Sequence, residues 1–528
     1  MKRFLRSALF GVLVLALSAC SSIDPGKFQD GYLAKHVITV SERGVANVFT
    51  NGGYRHDPVR RGKPKHGAYP PGAPGQARLD FPGPLQKQYE ADLKLMFANI
   101  KAHAPVGTNG KKQILIFAHG GLNTENARLK RIEELIGLGE GDPANKITNY
   151  YPVFINWESG LGTSYGEHLI SVRAGRKYES WGPVGWPLAP FVFIADIGKS
   201  VAKTPGVWIA QLTTDVKAAG YRTTAVKNSD RLYEQWNFYW ENGLNGVDAW
   251  HGVTNCGSRS RVVWDMTSYA LTVPFKLVAA PFIDGFGQSA WENMYRRTET
   301  MFHSVYEFDL SFGNRGSLTH GVPIYLDHAA TGATAQFLDG LKKNLNTNEF
   351  EITLVGHSAG TIVLNKVLQR YPDLPYKRIT YMAAACAISE LEGSLIPVMK
   401  RQTNTTFLNW CLNPRAELSE KNAGDLAPRG SLLEWIDNFL GAPRTATDRT
   451  LGKWENIMQS AHVFPPEIQS RVEIVAADYQ RRCVCPSRCE TCEDEGVTHR
   501  CDPQKHGEFG RQKFWDQNKR REGKVQAF

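Results

Sequence analysis

The chain has 528 residues, 42% of them hydrophobic, and a formal net charge of +10. The length suits one large domain, or one domain carrying a big insertion, and the apolar fraction supplies a substantial core. Past the N-terminal segment no stretch has enough uninterrupted apolar residues to span a bilayer. No dense basic stripe with interleaved aromatics appears, which argues against a nucleic-acid partner; the positive excess suits a surface near anionic lipid.

Lys2, Arg3 and Arg6 form a basic head, and Ala8 to Leu17 is an apolar run too short for a comfortable membrane span. It ends in Leu17-Ser18-Ala19-Cys20, which resembles the bacterial lipobox. That resemblance implies that residues 1–19 are a lipoprotein signal peptide, that Cys20 becomes the N-terminus, and that it carries acyl chains. Several chains anchor stably where one is marginal. Ser21 stands where an aspartate would retain such a protein in the inner membrane, so the expected place is the cell envelope, at the outer membrane of a Gram-negative bacterium. Residues 20–85 read as a short hairpin, with strands at Val37 to Val40 and Val45 to Phe49, followed by a Gly/Pro/Lys/Arg-rich linker.

Tyr89, Leu93, Met96, Phe97 and Ile100 mark one face of a packing helix. Gln113 to Ala118 is then a strand that runs into His119-Gly120-Gly121-Leu122. Paired glycines there allow backbone N–H groups to approach a substrate oxygen closely. His119 reads as an orienting residue of this loop, not as a proton carrier. A helix with Leu129, Ile132, Leu135 and Ile136 facing inward follows, and Val153 to Trp157 is the next parallel strand. From there the strand-and-helix rhythm stops until Thr331 to Leu345. The interval holds two proline-interrupted apolar tracts, Trp181 to Ala195 and Leu271 to Ile283, with Trp236, Tyr239, Trp240 and Trp250 between them. Two readings are open: a helical cap packed on the core, or a lid that shelters an acyl pocket or rests on a membrane.

The stretch EITLVGHSAGTIVLNKVL, from Glu351 to Leu368, is a buried strand, a hard turn and a helix. G-x-S-x-G alone is a weak pattern; between a strand and a helix it reads as a nucleophile elbow, with Ser358 exposed on a strained turn. Here the chain resembles the α/β-hydrolase superfamily, and more narrowly its esterases and lipases, from about Gln113 to the C-terminus. The resemblance implies an α/β-hydrolase fold: a mostly parallel central sheet, helices on both faces, and a large, mainly helical cap. Residues 86–160 and 329–528 would form the core, residues 161–328 the cap, and residues 481–501 a Cys-rich insert. It also implies oxyanion donors at Gly121 or Leu122 and at Ala359, and a triad in the order serine, acid, histidine.

Ile379 to Ala385, Phe407 to Leu412 and Val472 to Ala476 are the remaining strands. His506 follows the last of them and suits the base that takes the serine proton, with Phe509, Lys513, Phe514 and Trp515 forming a closing helix. His462 and His499 fit less well. The acid is expected at Asp425, in a loop after the strand at Phe407 to Leu412, with Glu417 next and Glu420 also available. Eight cysteines remain after Cys20. In an exported chain the cluster Cys483, Cys485, Cys489, Cys492 and Cys501 favours disulfides, one of which could reach Cys256; a zinc site begun by Cys489 and Cys492 is the rival. Cys386 and Cys411 read as free thiols or a pair. The expected protein is a lipid-anchored carboxylesterase or lipase that needs no metal or cofactor. A lipid-binding or envelope-scaffold protein on the same fold is the alternative.

Overall fold

The computed structural model describes residues 33–42, 44–50, 53–55, 84–121, 125–137, 147–175, 185–224, 247–248, 259–302, 332–346, 348–477, 492–494, 497–499, 503 and 505–510. In chain order its main elements are β1 (Val37–Val40), β2 (Val48–Thr50), β3 (Gly53–Arg55), α1 (Pro84–His103), β4 (Lys112–Ala118), α2 (Glu125–Ile136), β5 (Tyr151–Trp157), α3 (Leu161–Ile170), α4 (Gly185–Thr224), β6 (Val247–Asp248), α5 (Arg259–Thr300) and α6 (Ala333–Asn344). The second half adds β7 (Phe350–His357), α7 (Gly360–Arg370), β8 (Tyr376–Met382), α8 (Leu395–Arg401), β9 (Thr406–Cys411), α9 (Pro414–Ser419), β10 (Val472–Ala476), β11 (Cys492–Asp494) and β12 (Val497–His499).

The main sheet has the order β1-β5-β4-β7-β8-β9-β10-β6, and every neighbouring pair is parallel. Successive residues of a strand point to opposite faces. All of β5 and nearly all of β4 and β7 are buried, so both faces of the sheet are covered, as a parallel sheet requires. This is an α/β fold. The chain runs from β4 outward to β5 on one side, then returns to β7 and proceeds through β8, β9 and β10 on the other. The strand order therefore reverses between β4 and β7, at the C-terminal ends of which open α/β sheets form their ligand crevices. Ala118 and Gly356 stand in register at those ends, which brings the loops after both strands together.

The expected reversal between Val37–Val40 and Val45–Phe49 is present as a short antiparallel bridge, Val40 to Ala46, with Asn47 N–H donating to the Thr39 carbonyl and Ser41 N–H to the Val45 carbonyl. What the sequence reading lacks is that β1 is also an edge strand of the main sheet, parallel to β5, and that β2 pairs with β3, in what reads as linker. The two proline-containing tracts are not broken. From Gly185 onward the first lies in a single helix, α4 of 40 residues with Pro190 and Pro205 inside, and the second lies in α5, of 42 residues with Pro274 and Pro281 inside. Each proline removes one local hydrogen bond, and the packing of α4 against α5 carries the helices through. Among the described residues the insertion is mainly helical, as expected, with one two-residue strand, β6, that pairs with β10 at the far edge of the sheet. Cys20, the greater part of the linker, Trp236, Tyr239, Trp240, Trp250, Cys256, Lys513, Phe514 and Trp515, and Cys483, Cys485, Cys489 and Cys501 lie outside the described residues. Cys386 and Cys411 are both buried free thiols, and burial raises the pKa of each.

The elbow depends on close approach. A Cβ on Gly360 would lie 2.0 Å from the Ala118 carbonyl oxygen, at the end of β4. Because that neighbour is backbone, it cannot rotate away. Gly360→Ala is expected to destabilise the protein by about 1–3 kcal/mol and to push β4 from α7; a midpoint in urea unchanged from wild type would contradict this.

Candidate active site

Ser358 sits on the turn between β7 and α7 with φ of 53°, a left-handed conformation that is costly for a residue with a side chain. Hydrogen bonds to its main chain hold it there. Its N–H donates to the Met382 carbonyl, its own carbonyl accepts from the Ala385 N–H, and the Thr361 hydroxyl donates to the same carbonyl at 2.7 Å. The strain is thus imposed by the neighbouring strand end and the following helix. The outcome is that Ser358 Oγ lies 2.7 Å from His506 Nε2. The two residues are 148 positions apart in the sequence. Burial, with His357 as the next contributor, holds the His506 imidazole well below the usual histidine range, so the ring is neutral and can accept the hydroxyl proton.

His506 opens a helical turn, His506–Gly510, that is fixed from two sides. The Glu420 carboxylate accepts from the His506 main-chain N–H at 3.1 Å. His357 Nε2 donates to the His506 carbonyl at 3.1 Å, and its ring lies 5.3 Å from the His506 ring and 6.3 Å from Phe509. Burial pushes His357 down to about 4, so it remains a neutral donor. It touches no reacting atom and acts through His506, as a positioning residue. His357→Phe keeps the volume and leaves that buried carbonyl without its donor, a loss of about 1–3 kcal/mol. The expected result is a fall in kcat of about tenfold with KM unchanged, and partial rescue by His357→Gln. Equal kcat in the Phe variant would remove this role.

The loop after β4 closes against the serine. A Cβ on Gly120 would lie 2.8 Å from Ser358 Cβ, and one on Gly121 would lie 3.0 Å from Met294 Sδ of α5. His119 sets the loop: its Nδ1 is 2.6 Å from the Gly120 carbonyl, its Nε2 accepts from the Trp157 N–H at 3.2 Å, and the Trp157 indole donates to the His119 carbonyl at 3.1 Å. Nε2 also lies 3.2 Å from Asn156 Oδ1, so the ring is held through both nitrogens. His119 orients the loop, as read from the sequence. Ala359 is fully buried at the start of α7, and among the described residues no acceptor takes its N–H or that of Gly121. Leu122 lies outside the described residues. Ser358 is only 1% exposed, and α5 reaches this loop through Met294.

Asp425 does not hold the histidine. Its Oδ1 accepts from Arg429 Nε at 2.6 Å and pairs with Lys276 Nζ at 2.8 Å, while its Oδ2 accepts from Arg429 Nη2. These partners outweigh its burial and hold the carboxyl down at about 2. Both oxygens are taken by buried cations, one of them from α5, so Asp425 joins the insertion to the body. Meanwhile His506 Nδ1 is buried with no hydrogen-bond partner among the described residues, and so is Glu417 Oε2. Glu417 lies on α9, immediately after β9, and accepts the Ser431 hydroxyl through its other oxygen. Burial pushes its carboxyl up to about 8 and also raises that of Glu420, one turn further on. The sequence reading named both glutamates but ranked the loop aspartate first. His357 has as its only sequence signal its adjacency to the serine, whereas a cap or lid is expected from the apolar tracts, and the contact of Met294 with the glycine loop specifies where one of those helices meets the site.

Comparison with protein-family models, with curated proteins and with solved structures gave no match. Among the described residues no group of three metal-ligating side chains is placed to hold an ion.

Proposed function

We propose that this protein is a membrane-anchored serine hydrolase on an α/β-hydrolase fold, and that it cleaves carboxylic esters of the lipid or acyl class. One observation carries the reading: a strained serine at the strand-order reversal whose hydroxyl is 2.7 Å from a neutral, buried imidazole. Neither feature is needed for packing, and strain of this kind persists only where surrounding structure enforces it.

In this reading Ser358 Oγ attacks the ester carbonyl as His506 Nε2 takes its proton. The oxyanion meets the N–H groups of Ala359 and of Gly121 or Leu122, near the positive end of α7. His506 then protonates the departing alcohol. Water, deprotonated by the same ring, releases the acid. The imidazolium formed in each half needs a carboxylate at Nδ1. We assign that part to Glu417, whose Oε2 is, like the ring Nδ1, buried without a partner, an arrangement that costs about 1–3 kcal/mol per group; burial holds its carboxyl at about 8, so it ionises only as the imidazolium charge appears and the two groups close on each other. Glu420 holds the backbone of the same histidine. Asp425, committed to Lys276 and Arg429, is withdrawn from the role.

The test is fluorophosphonate labelling of the purified mature protein, followed by hydrolysis of p-nitrophenyl esters of increasing chain length. Labelling and a preference for longer acyl groups are expected. Absence of labelling would leave the non-catalytic scaffold; labelling with preference for acetate would remove the lipid-ester class.

A further inference from the structure

We propose that the outer face of the α4–α5 hairpin docks on a lipid bilayer, lying in the headgroup–acyl boundary without spanning it. This rests on the envelope-anchored reading above for its setting, though not on catalysis. The two helices run antiparallel: Trp208 donates to the Leu277 carbonyl at 2.7 Å, and Lys203 pairs with Asp284 at 3.1 Å. On α4, Ile194, Val201 and Trp208 are exposed at seven-residue spacing, and Ile209, Leu212 and Val216 continue the row. On α5, Leu271, Phe275, Val278 and Phe282 are exposed at spacings of four, three and four. These are helical stripes turned toward solvent, the reverse of the usual pattern for a helix on a soluble body. Scattered exposed apolar residues need no explanation, whereas a contiguous face does. Trp208, in the first stripe and bonded beside the second, joins them.

Chemistry selects the occupant. Within Thr267–Thr300 the most apolar 18-residue window reaches a mean hydropathy of 1.2, enough by length and composition for a membrane span, and only 33% of that window is buried. Yet it cannot leave the body to cross. Lys276 is fixed to Asp425, Glu299 pairs with Lys366 and Arg370, and on α4 Asp196 accepts from His168 at 3.0 Å. Pulling those charges into hydrocarbon would be prohibitive. A helix pair held by its polar side and apolar on the other therefore lies on the surface. Acylation at Cys20 would supply the proximity, because the segment from Cys20 to Leu33 spans at most roughly 45 Å. A tether of that reach turns weak apolar contact into an intramolecular event. The C-terminal part of α5 also reaches Gly121, in the loop beside Ser358, through Met294, so the helix that would touch lipid also packs at the candidate site.

The experiment uses the mature chain from residue 20 with Cys20→Ser, which removes the acyl anchor, and phosphatidylcholine vesicles. The protein is expected to sediment with vesicles. The combined variant Ile194→Ser, Ile209→Ser, Val216→Ser and Leu271→Ser should need at least tenfold more lipid, while its fluorophosphonate labelling in detergent is unchanged. Ser358→Ala should sediment like its parent. Equal sedimentation of the fourfold variant, or none by the parent, overturns the proposal. So does a parent that is a dimer in solution and becomes monomeric in the fourfold variant without either form binding lipid. If sedimentation behaves as expected and nothing labels, docking stands and the hydrolase reading alone fails.

Discussion

Ser358→Ala is expected to abolish fluorophosphonate labelling and to lower kcat on a p-nitrophenyl ester by about 10⁴-fold or more, the scale on which loss of a nucleophile acts. The substitution keeps a Cβ and the same left-handed backbone, and the hydrogen bonds that impose this turn run through main-chain atoms and Thr361. Thermal stability should therefore stay within a few degrees of wild type. That separation of outcomes matters, because a variant that merely unfolded would lose activity without identifying the nucleophile. Residual turnover above about one-hundredth of wild type would place the chemistry elsewhere.

The second large effect divides two carboxylates, Glu417 and Asp425, proposed and withdrawn for the acid role. Glu417→Gln is expected to reduce kcat by about 10³-fold, by leaving the imidazolium without its counter-charge, with little change in unfolding midpoint. Asp425→Ala should do the reverse. It strands Lys276 and Arg429, both only 1% exposed, and uncompensated buried charge costs about 3–5 kcal/mol; the fraction still folded should turn over ester at a near-normal rate. A pH series checks the same pair. The folded pKa of Asp425, about 2, is below the unfolded value near 4, so its contribution is complete above about pH 4 and fades as pH falls through about 2. The acid limb of wild-type stability should accordingly flatten in Asp425→Ala. A collapse of kcat in Asp425→Ala with an unchanged midpoint would return the acid to that loop.

These two outcomes turn on features that differ in how they could be read. The elbow was legible because its requirements are local. Gly356 and Gly360 flank a serine between an apolar strand and an amphipathic helix, and the structure shows the contacts that exclude side chains there, with Thr361 and with Ala118. The pairing of Ser358 with His506 was legible for a weaker reason, chain order around a parallel sheet. Asp425 was misjudged because its competitors are distant: Lys276 comes from the middle of a helix in the insertion, and nothing at the aspartate announces it. The prolines in α4 and α5 misled in the same way, since their cost is local and the packing that offsets it is not.

What the sequence determined by itself is the alternation of strands and helices, the serine turn and the glycine loop opposite it, because periodicity, β-branching and missing side chains act over a few residues. Only the tertiary structure decided which carboxylate is free, that His357 steadies the histidine, and that two long helices present their apolar stripes outward. Those depend on the charges and surfaces that the fold brings to one another from far apart in the chain, and no short-range pattern encodes a distant neighbour.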